Sequence, residues 1–310
     1  MRVGQSRRTP IRMPAASAGQ AGVAIVAVMW IVAALMVAVS SISYLARGEV
    51  KDTRLRLDRA RAVAQGDGVI RIALRKLLES KQPLDRARRV DVAFADVSAV
   101  VDVFPASGFI DLNAATAPLL TDLFVHGAGV SPEQATALAE RVLDWRDADN
   151  QPMPFGAEDP AYEAAGVKFR TRSGNFESPE DLMQVLGFDY EVFDRIKGSV
   201  TIYGGAGVSP LAAPEGVLKV LARGDVELAA QISEARYRGE AAIDTTRLVQ
   251  ANLAGGGGSS FVLVQARFTI GSDQIVRRRW VDMNSRAPGK LWTELRAESA
   301  FLPPAEGQVR

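Results

Sequence analysis

The chain contains no cysteine and only one histidine in 310 residues. Without cysteine there is no disulfide, no thiolate zinc site and no cysteine nucleophile. With His126 alone, a zinc centre of two or three imidazoles is excluded, and a Ser-His-Asp triad would have to pass through that one residue. Charge of neither sign prevails. Lys and Arg number 37 against 36 for Asp and Glu, a net charge of +1, so the overall basic excess of a nucleic-acid carrier is missing. Aromatic residues are 7% of the chain, and no cluster of them is set out to stack on sugars. What remains is a chain with 47% apolar residues, long enough for about two domains, whose composition argues against most catalytic chemistry.

The N-terminus is the first strong signal. Residues 1–22 hold Arg2, Arg7, Arg8 and Arg12 and no acid, and the 24 residues from Val23 to Ala46 carry no charge. As a helix that run is about 36 Å long, enough for a hydrocarbon core of about 30 Å. The basic flank places the N-terminus in the cytoplasm and the remainder across the membrane. A cleaved secretory signal has a shorter apolar stretch followed by a cleavage site. Here the helical pattern continues through 47–81 instead, with Ala60, Val63, Ile70, Leu74 and Leu77 on one apolar stripe. Gly66 and Gly68 weaken that helix by about 1 kcal/mol each, and a bend is expected there.

A long apolar helix entered through Gly22-Val23 and flowing into an amphipathic one resembles the N-terminus of type IV pilins and pseudopilins. The resemblance implies a prepilin peptidase cut between Gly22 and Val23 and N-methylation of Val23. Most members carry Glu at the fifth mature position, where this chain has Ala27. A carboxylate in an apolar helix bundle needs a cation to meet it, and in pilins a neighbour's terminal amine supplies it. A subunit at the tip of a fibre has no such neighbour, so Ala27 is read as tip-specific.

The middle of the chain changes texture. Residues 90–104 alternate as a strand ending at Pro105. Residues 108–143 read as helix, Gly-containing turn and helix, with Ser131-Pro132-Glu133-Gln134 as a helix start. Ser178-Pro179-Glu180-Asp181 repeats the device, and 207–222 is a weaker third echo. These repeats imply a compact α-domain and resemble helix-hairpin-helix modules, with Gly127-Ala128-Gly129 at the turn and His126, read as an exposed loop residue, beside it. Residues 131–191 hold 13 acidic and 5 basic residues, the wrong sign for displacing counterions from phosphates. A membrane-anchored DNA-uptake receptor is therefore the alternative reading, and no nucleic-acid partner is expected.

Asp144–Glu163 is the most informative stretch: DWRDADNQPMPFGAEDPAYE. Asp147, Asp149, Glu158 and Asp159 share one proline-constrained loop, where like charges repel unless solvated or bridged by a cation. Oxygen ligands without His or Cys favour Ca²⁺ over zinc; a solvated acidic loop satisfies the same composition. A catalytic carboxylate pair in a secreted hydrolase is a third reading.

The pieces IDLNAAT, LDWRDADNQP, GAEDPAY and GNFESPEDL, behind a pilin-like anchor without its glutamate, resemble the protein K family of type II secretion systems, the large minor pseudopilins. This implies an α+β, pilin-like fold, in which a long N-terminal helix packs on an antiparallel sheet and an all-α domain of helix-hairpin-helix/SAM-like repeats is inserted. The expected boundaries are a leader at 1–22, a transmembrane helix at 23–46, an amphipathic helix and first strands at 47–105, an inserted α-domain at 106–222, and C-terminal strands at 223–310. The resemblance also implies calcium in the acidic loop, carried onto Asp147, Asp149, Glu158 and Asp159. Implied partners are minor pseudopilins I and J in a tip complex, other pseudopilins, the inner-membrane assembly platform and the prepilin peptidase. The implied place is the inner membrane, single-pass with the main domain periplasmic, and the pseudopilus after assembly; the work is assembly and capping rather than catalysis.

In the last third, FVLVQARFTI, a Gly-Ser-Asp turn and QIVRRRWVDM read as a β-hairpin, with LWTELRAE as a further strand. Arg277–Arg279 is expected on a solvated edge of it. Intact mass of the protein expressed with and without its prepilin peptidase tests the N-terminal reading. Loss of residues 1–22 with gain of one methyl group, only when the peptidase is present, is the expected outcome; an uncut chain, or cleavage after the apolar stretch, would reject it.

Overall fold

In a computed structural model of the chain, the backbone is described for residues 19–298 except 241, 256, 271–272 and 285–287. Side chains are described for the same residues except 19–24, 41–55 and 273. The chain divides into two units, Met1–Arg61 and Ala62–Arg310. The described part of the first belongs to helix α1 (Gly19–Ser80). Its side chains at 25–40, Ala27 among them, are exposed all round the helix. Among the described residues no helix is long and apolar enough to cross a membrane. The span expected at 23–46 falls partly on side chains outside the described residues. Leader residues 1–18 lie outside them altogether, and the side chains flanking the Gly22–Val23 bond do so too.

The second unit mixes helix with an antiparallel sheet. Its strands are β1 (Arg88–Phe94), β2 (Val97–Pro105), the short β3 (Ile110–Asp111) and β4 (Val200–Thr201), β5 (Phe261–Ile270), β6 (Asp273–Asp282) and β7 (Thr293–Ala297). The five long ones form an antiparallel sheet in the order β1-β2-β5-β6-β7, and β3 pairs β4 in parallel. Where the sequence predicts one strand over 90–104, the chain makes a hairpin: Phe94 pairs Val97 across a two-residue turn in which Ala95 takes a φ of 53°.

The apolar stripe of α1 does what its spacing predicts over 69–77. Val69, Ile70, Ala73, Leu74 and Leu77 are buried against Val101, Val103, Val262, Val264 and Val281 of the sheet. The helix runs unbroken through Gly66 and Gly68, and the two glycines serve close approach. A Cβ on Gly66 would lie 3.0 Å from the Arg277 side chain, and one on Gly68 only 2.4 Å from the Phe94 ring. Arg277 and Arg279 are not a solvated edge. Alternation along β6 turns both toward α1, where they are 6% and 7% exposed and clasp the Asp67 carboxylate at 2.9 and 2.8 Å.

Between β2 and β5, which are direct neighbours in the sheet, the chain builds a helical body. It comprises α2 (Ala117–Asp122), a π-helical turn (Leu123–Ala128), α3 (Pro132–Arg146), α4 (Asp159–Ala164), a 3₁₀ turn (Pro179–Gln184), α5 (Tyr190–Ile196), α6 (Glu215–Leu221) and α7 (Val226–Tyr237). Ser131 accepts from Gln134 N–H at 3.3 Å, and Ser178 with Asp181 forms a capping box, as the paired Ser-Pro-Glu signals predict. Gly129 closes the first hairpin at φ 74°. His126 is half-buried inside the π-helical turn rather than on an open loop. One core joins Leu119, Leu120 and Phe124 to Leu138, Leu182, Ile196 and Leu221, and it also takes in Leu228, Ile232 and Leu248. The helical body therefore runs past 222, where the inserted domain was expected to end: apolar residues of α7 find their partners among the helices.

Several contacts tie this body to the sheet. The buried Asp102 of β2 accepts from Arg89 at 2.8 Å and Arg267 at 2.5 Å, and the Arg89 guanidinium lies 4.0 Å over the Tyr237 ring of α7. The weak third echo makes a stitch of its own. Ser209 N–H donates to Ser107 O at 2.7 Å, while Val208 exchanges bonds with Asn252 O and Ala254 N–H at 3.0 and 2.9 Å, so two residues stitch the entry of the helical body to its exit.

Gly108 sits at that entry, where a Cβ would come within 2.2 Å of the Ala212 backbone. Gly108→Ala is expected to destabilise by about 1–3 kcal/mol, lowering the melting temperature by about 3–10 °C. Gly174→Ala, whose Cβ meets nothing nearer than 3.8 Å, is the control expected to leave it unchanged; differential scanning calorimetry of the two reads the contrast.

Candidate metal centre

The acidic loop begins at the C-terminal end of α3. Glu140, Asp144 and Asp147 recur there at intervals of four and three, which puts them on one helix face. Like charges so placed repel, and the loop that follows folds back to offset this with its own amides. Phe155 N–H donates to Glu140 Oε2 at 2.6 Å. Met153 N–H donates to Asp144 at 3.2 and 3.3 Å to its two oxygens, and Ala157 N–H also reaches Asp144. Arg146 lies next to this face but is committed elsewhere, donating to Leu112 O at 2.5 Å and Ala115 O at 2.7 Å. Its charge reaches Asp147 only through space.

Three of the four expected residues converge. Oxygens of Asp147, Asp149 and Glu158 lie within 4.8 Å of one another, the span across one Ca²⁺ ion whose bonds are about 2.4 Å. Glu158 is 2% exposed. Neither of its oxygens, nor Asp147 Oδ1, meets a donor in full hydrogen-bond geometry among the described residues; the Thr171 hydroxyl donates to Asp159 at 3.0 Å and lies close enough to Glu158 to oppose the rise in its pKa. Asp149 stays at the surface and accepts from Gln151 N–H at 2.9 Å. The fourth residue, Asp159, does not join the group: it opens α4, accepts from Thr171 N–H at 3.0 Å and faces Arg170 at 3.8 Å. Adjacent residues leaving a loop for a helix point apart, and only Glu158 turns inward.

The electrostatics follow from this crowding. Burial raises the pKa of Glu158, and the Asp144 charge raises it further. Asp147 is raised by burial and then by Asp149. Asp144 is raised by burial, with the Met153 and Ala157 amides opposing. A buried carboxylate with no donor carries a desolvation cost that a bound cation offsets, so the donor set fits a hard divalent ion held by oxygen. Sequence reading placed Asp144 in the loop without a role; the three- and four-residue spacing from Glu140 to Asp147 was the signal that it belongs to the helix supporting it. The neighbouring IDLNAAT run is structural. Asp111 accepts from Asn113 and Gly204 N–H, and Asn113 exchanges two bonds with the Phe176 backbone at 2.7 and 3.0 Å.

Carboxylates whose folded pKa is raised bind protons more readily in the folded state. Stability in chelator therefore rises as pH falls through the window just above the ordinary carboxylate value of about 4. In EDTA the melting temperature of the native protein is expected to climb between about pH 7 and pH 5. Glu158→Gln is expected to flatten that climb and to abolish any gain from added Ca²⁺. A climb that Glu158→Gln leaves untouched would remove Glu158 as its source.

Residues 110–205 match the family model described as type II secretion system (T2SS), protein K. Type II secretion system protein K of Pectobacterium carotovorum subsp. carotovorum is 34% identical over 74 residues, 24% of this chain and 23% of that one. Its counterpart in Klebsiella pneumoniae is 26% identical over 200 residues, 57% of this chain and 61% of that one. The aligned stretches thus span less than two thirds of these curated relatives. Among solved structures, a chain of the GspK-GspI-GspJ complex from the enterotoxigenic Escherichia coli type 2 secretion system superposes with a TM-score of 0.51 at 16% identity, covering 80% of this chain and 99% of that one. In sequence and in fold, this chain resembles protein K of the type II secretion system, the family its own residues pointed to.

Proposed function

We propose that this protein is a minor pseudopilin at the tip of the pseudopilus of a type II secretion system, where it initiates and caps assembly for export of folded proteins across the outer membrane. The carrying observation is the match of the helical body, residues 110–205, to protein K, inside a fold shared with a chain of the GspK-GspI-GspJ complex. The role is structural rather than catalytic.

In this reading the chain has a pilin-like core: the helix at 62–80 lies on the five-stranded sheet, and a helix-hairpin-helix type domain is inserted between β2 and β5, from 106 to about 254. The N-terminal apolar helix anchors it in the inner membrane, prepilin peptidase cuts at Gly22–Val23, and Ala27 replaces the glutamate that body subunits direct at a neighbour above. The bulk of the insert leaves no room for a subunit above. Its partners are minor pseudopilins I and J, other pseudopilins and the assembly platform. Ca²⁺ held by Asp147, Asp149 and Glu158 fixes the loop between α3 and α4.

Affinity capture of the full chain from detergent-solubilised membranes, with its cognate I and J subunits co-expressed, tests the assignment. A ternary complex is expected, and deletion of the chain is expected to halt export until the intact gene is restored. Export unaffected by the deletion, together with no I–J association, would reject the function.

A further inference from the structure

We propose that Asp144 is the positioning residue of the cation site: it fixes the loop that delivers Glu158 to the ion and does not itself bind the ion. The inference rests on the reading of Asp147, Asp149 and Glu158 as a Ca²⁺ site, and it assigns a separate task to the carboxylate one helical turn before them.

Asp144 is fully buried, yet its oxygens are not among those that converge within 4.8 Å. They are already used. Met153 N–H approaches both, at 3.2 and 3.3 Å, and Ala157 N–H completes the set. Between these two donors the chain turns tightly, Gly156 N–H closing on Met153 O at 3.0 Å. The turn lies so close over the carboxylate that a Cβ on Gly156 would fall 1.9 Å from Asp144 Oδ2 and 2.7 Å from its Cγ. Loop 153–157 is thus wrapped on Asp144, with a glycine where nothing larger fits.

The next residue is Glu158. Its own carbonyl accepts from Ala161 and Tyr162 N–H at 2.8 and 3.3 Å, the first turn of α4. Glu158 is therefore pinned from both sides, by the Asp144-held loop before it and by a helix start after it. Its carboxylate remains buried and without a donor. An acceptor with two oxygens at 144 is needed to hold two amides at once, which an apolar residue cannot do. Fixing a ligand in advance removes its ordering cost from the binding step, and loss of a residue that orients a metal ligand typically weakens affinity by about 10–100-fold.

Terbium(III) in place of Ca²⁺ separates the two roles, because its luminescence lifetime in H₂O and in D₂O counts the waters on the ion. The full chain in detergent is titrated with Tb³⁺ for the water count and with Ca²⁺ by calorimetry for affinity. Glu158→Ala is expected to add at least one water, because it leaves no oxygen at 158 to meet the ion. Asp144→Asn keeps the volume and one acceptor oxygen; it is expected to leave the water count as in the native chain while weakening Ca²⁺ by about tenfold. Gly156→Ala changes no oxygen and is expected to weaken Ca²⁺ in the same way. It keeps the test decisive if Asp144→Asn does not fold, as judged by circular dichroism in EDTA. A water gained in Asp144→Asn would make Asp144 a ligand and overturn the inference. Native affinity in both Asp144→Asn and Gly156→Ala would overturn it equally. Failure of the native chain to bind either ion would instead reject the calcium reading beneath it.

Discussion

A carboxylate taken out of water with no donor to meet it is the constraint around which the helical body is arranged. Glu158 is that group, and the surrounding chain concentrates negative charge on it rather than relieving it. Asp144 stands on the facing helix and Asp147 caps its C-terminal end, while the Arg146 guanidinium is turned to the carbonyls of Leu112 and Ala115. Left alone such a loop would protonate or open. Its backbone amides supply part of the answer, since each carboxylate on α3 that faces the loop at Met153 or Phe155 is met by an N–H. The rest is what a bound cation would offset.

The sheet side solves its charge problem internally. Asp67 on α1 takes two buried arginines of β6, and Asp102 takes Arg89 and Arg267. In both places one acid serves two guanidiniums, which are weakly hydrated and reach it by planar forks. The outcome is a helix and a sheet held in register by directional contacts as well as by apolar burial, with no need of an external ion.

Legibility in the sequence followed the range of the interactions. Helix starts at Ser131 and Ser178 are local, set by a side chain and an amide three residues on, and both stood out. The stripe of α1 and the hairpin of β5 and β6 are periodic, and they emerged as the spacing predicts. The split of 88–105 into two strands hung on a turn of two ordinary residues, Ala95 and Asp96, which carry no Gly or Asn-Gly signal. The burial of Arg277 and Arg279 was hidden because their partner, Asp67, lies more than 200 residues away. At the candidate site, residue types and loop were legible while Asp159 was misplaced. Adjacent acids are equivalent in composition, and only the backbone direction at the start of α4 separates them. Gly66 and Gly68, read as weak points of a helix, turned out to make room for the Arg277 and Phe94 side chains of the sheet.

The stitch at Val208-Ser209 has a consequence for how the chain folds. Pairing β2 with β5 joins two strands separated by the 155 residues from 106 to 260. Closing a free loop of that size costs about 3 kcal/mol more than closing one of about five residues, on (3/2)RT ln n scaling. Once the helical body has formed, Ser107 and Ala254 are held to one dipeptide, and the chain ends that must meet in the sheet are already neighbours. Any route that forms the insertion first meets a smaller closure cost in the sheet it interrupts.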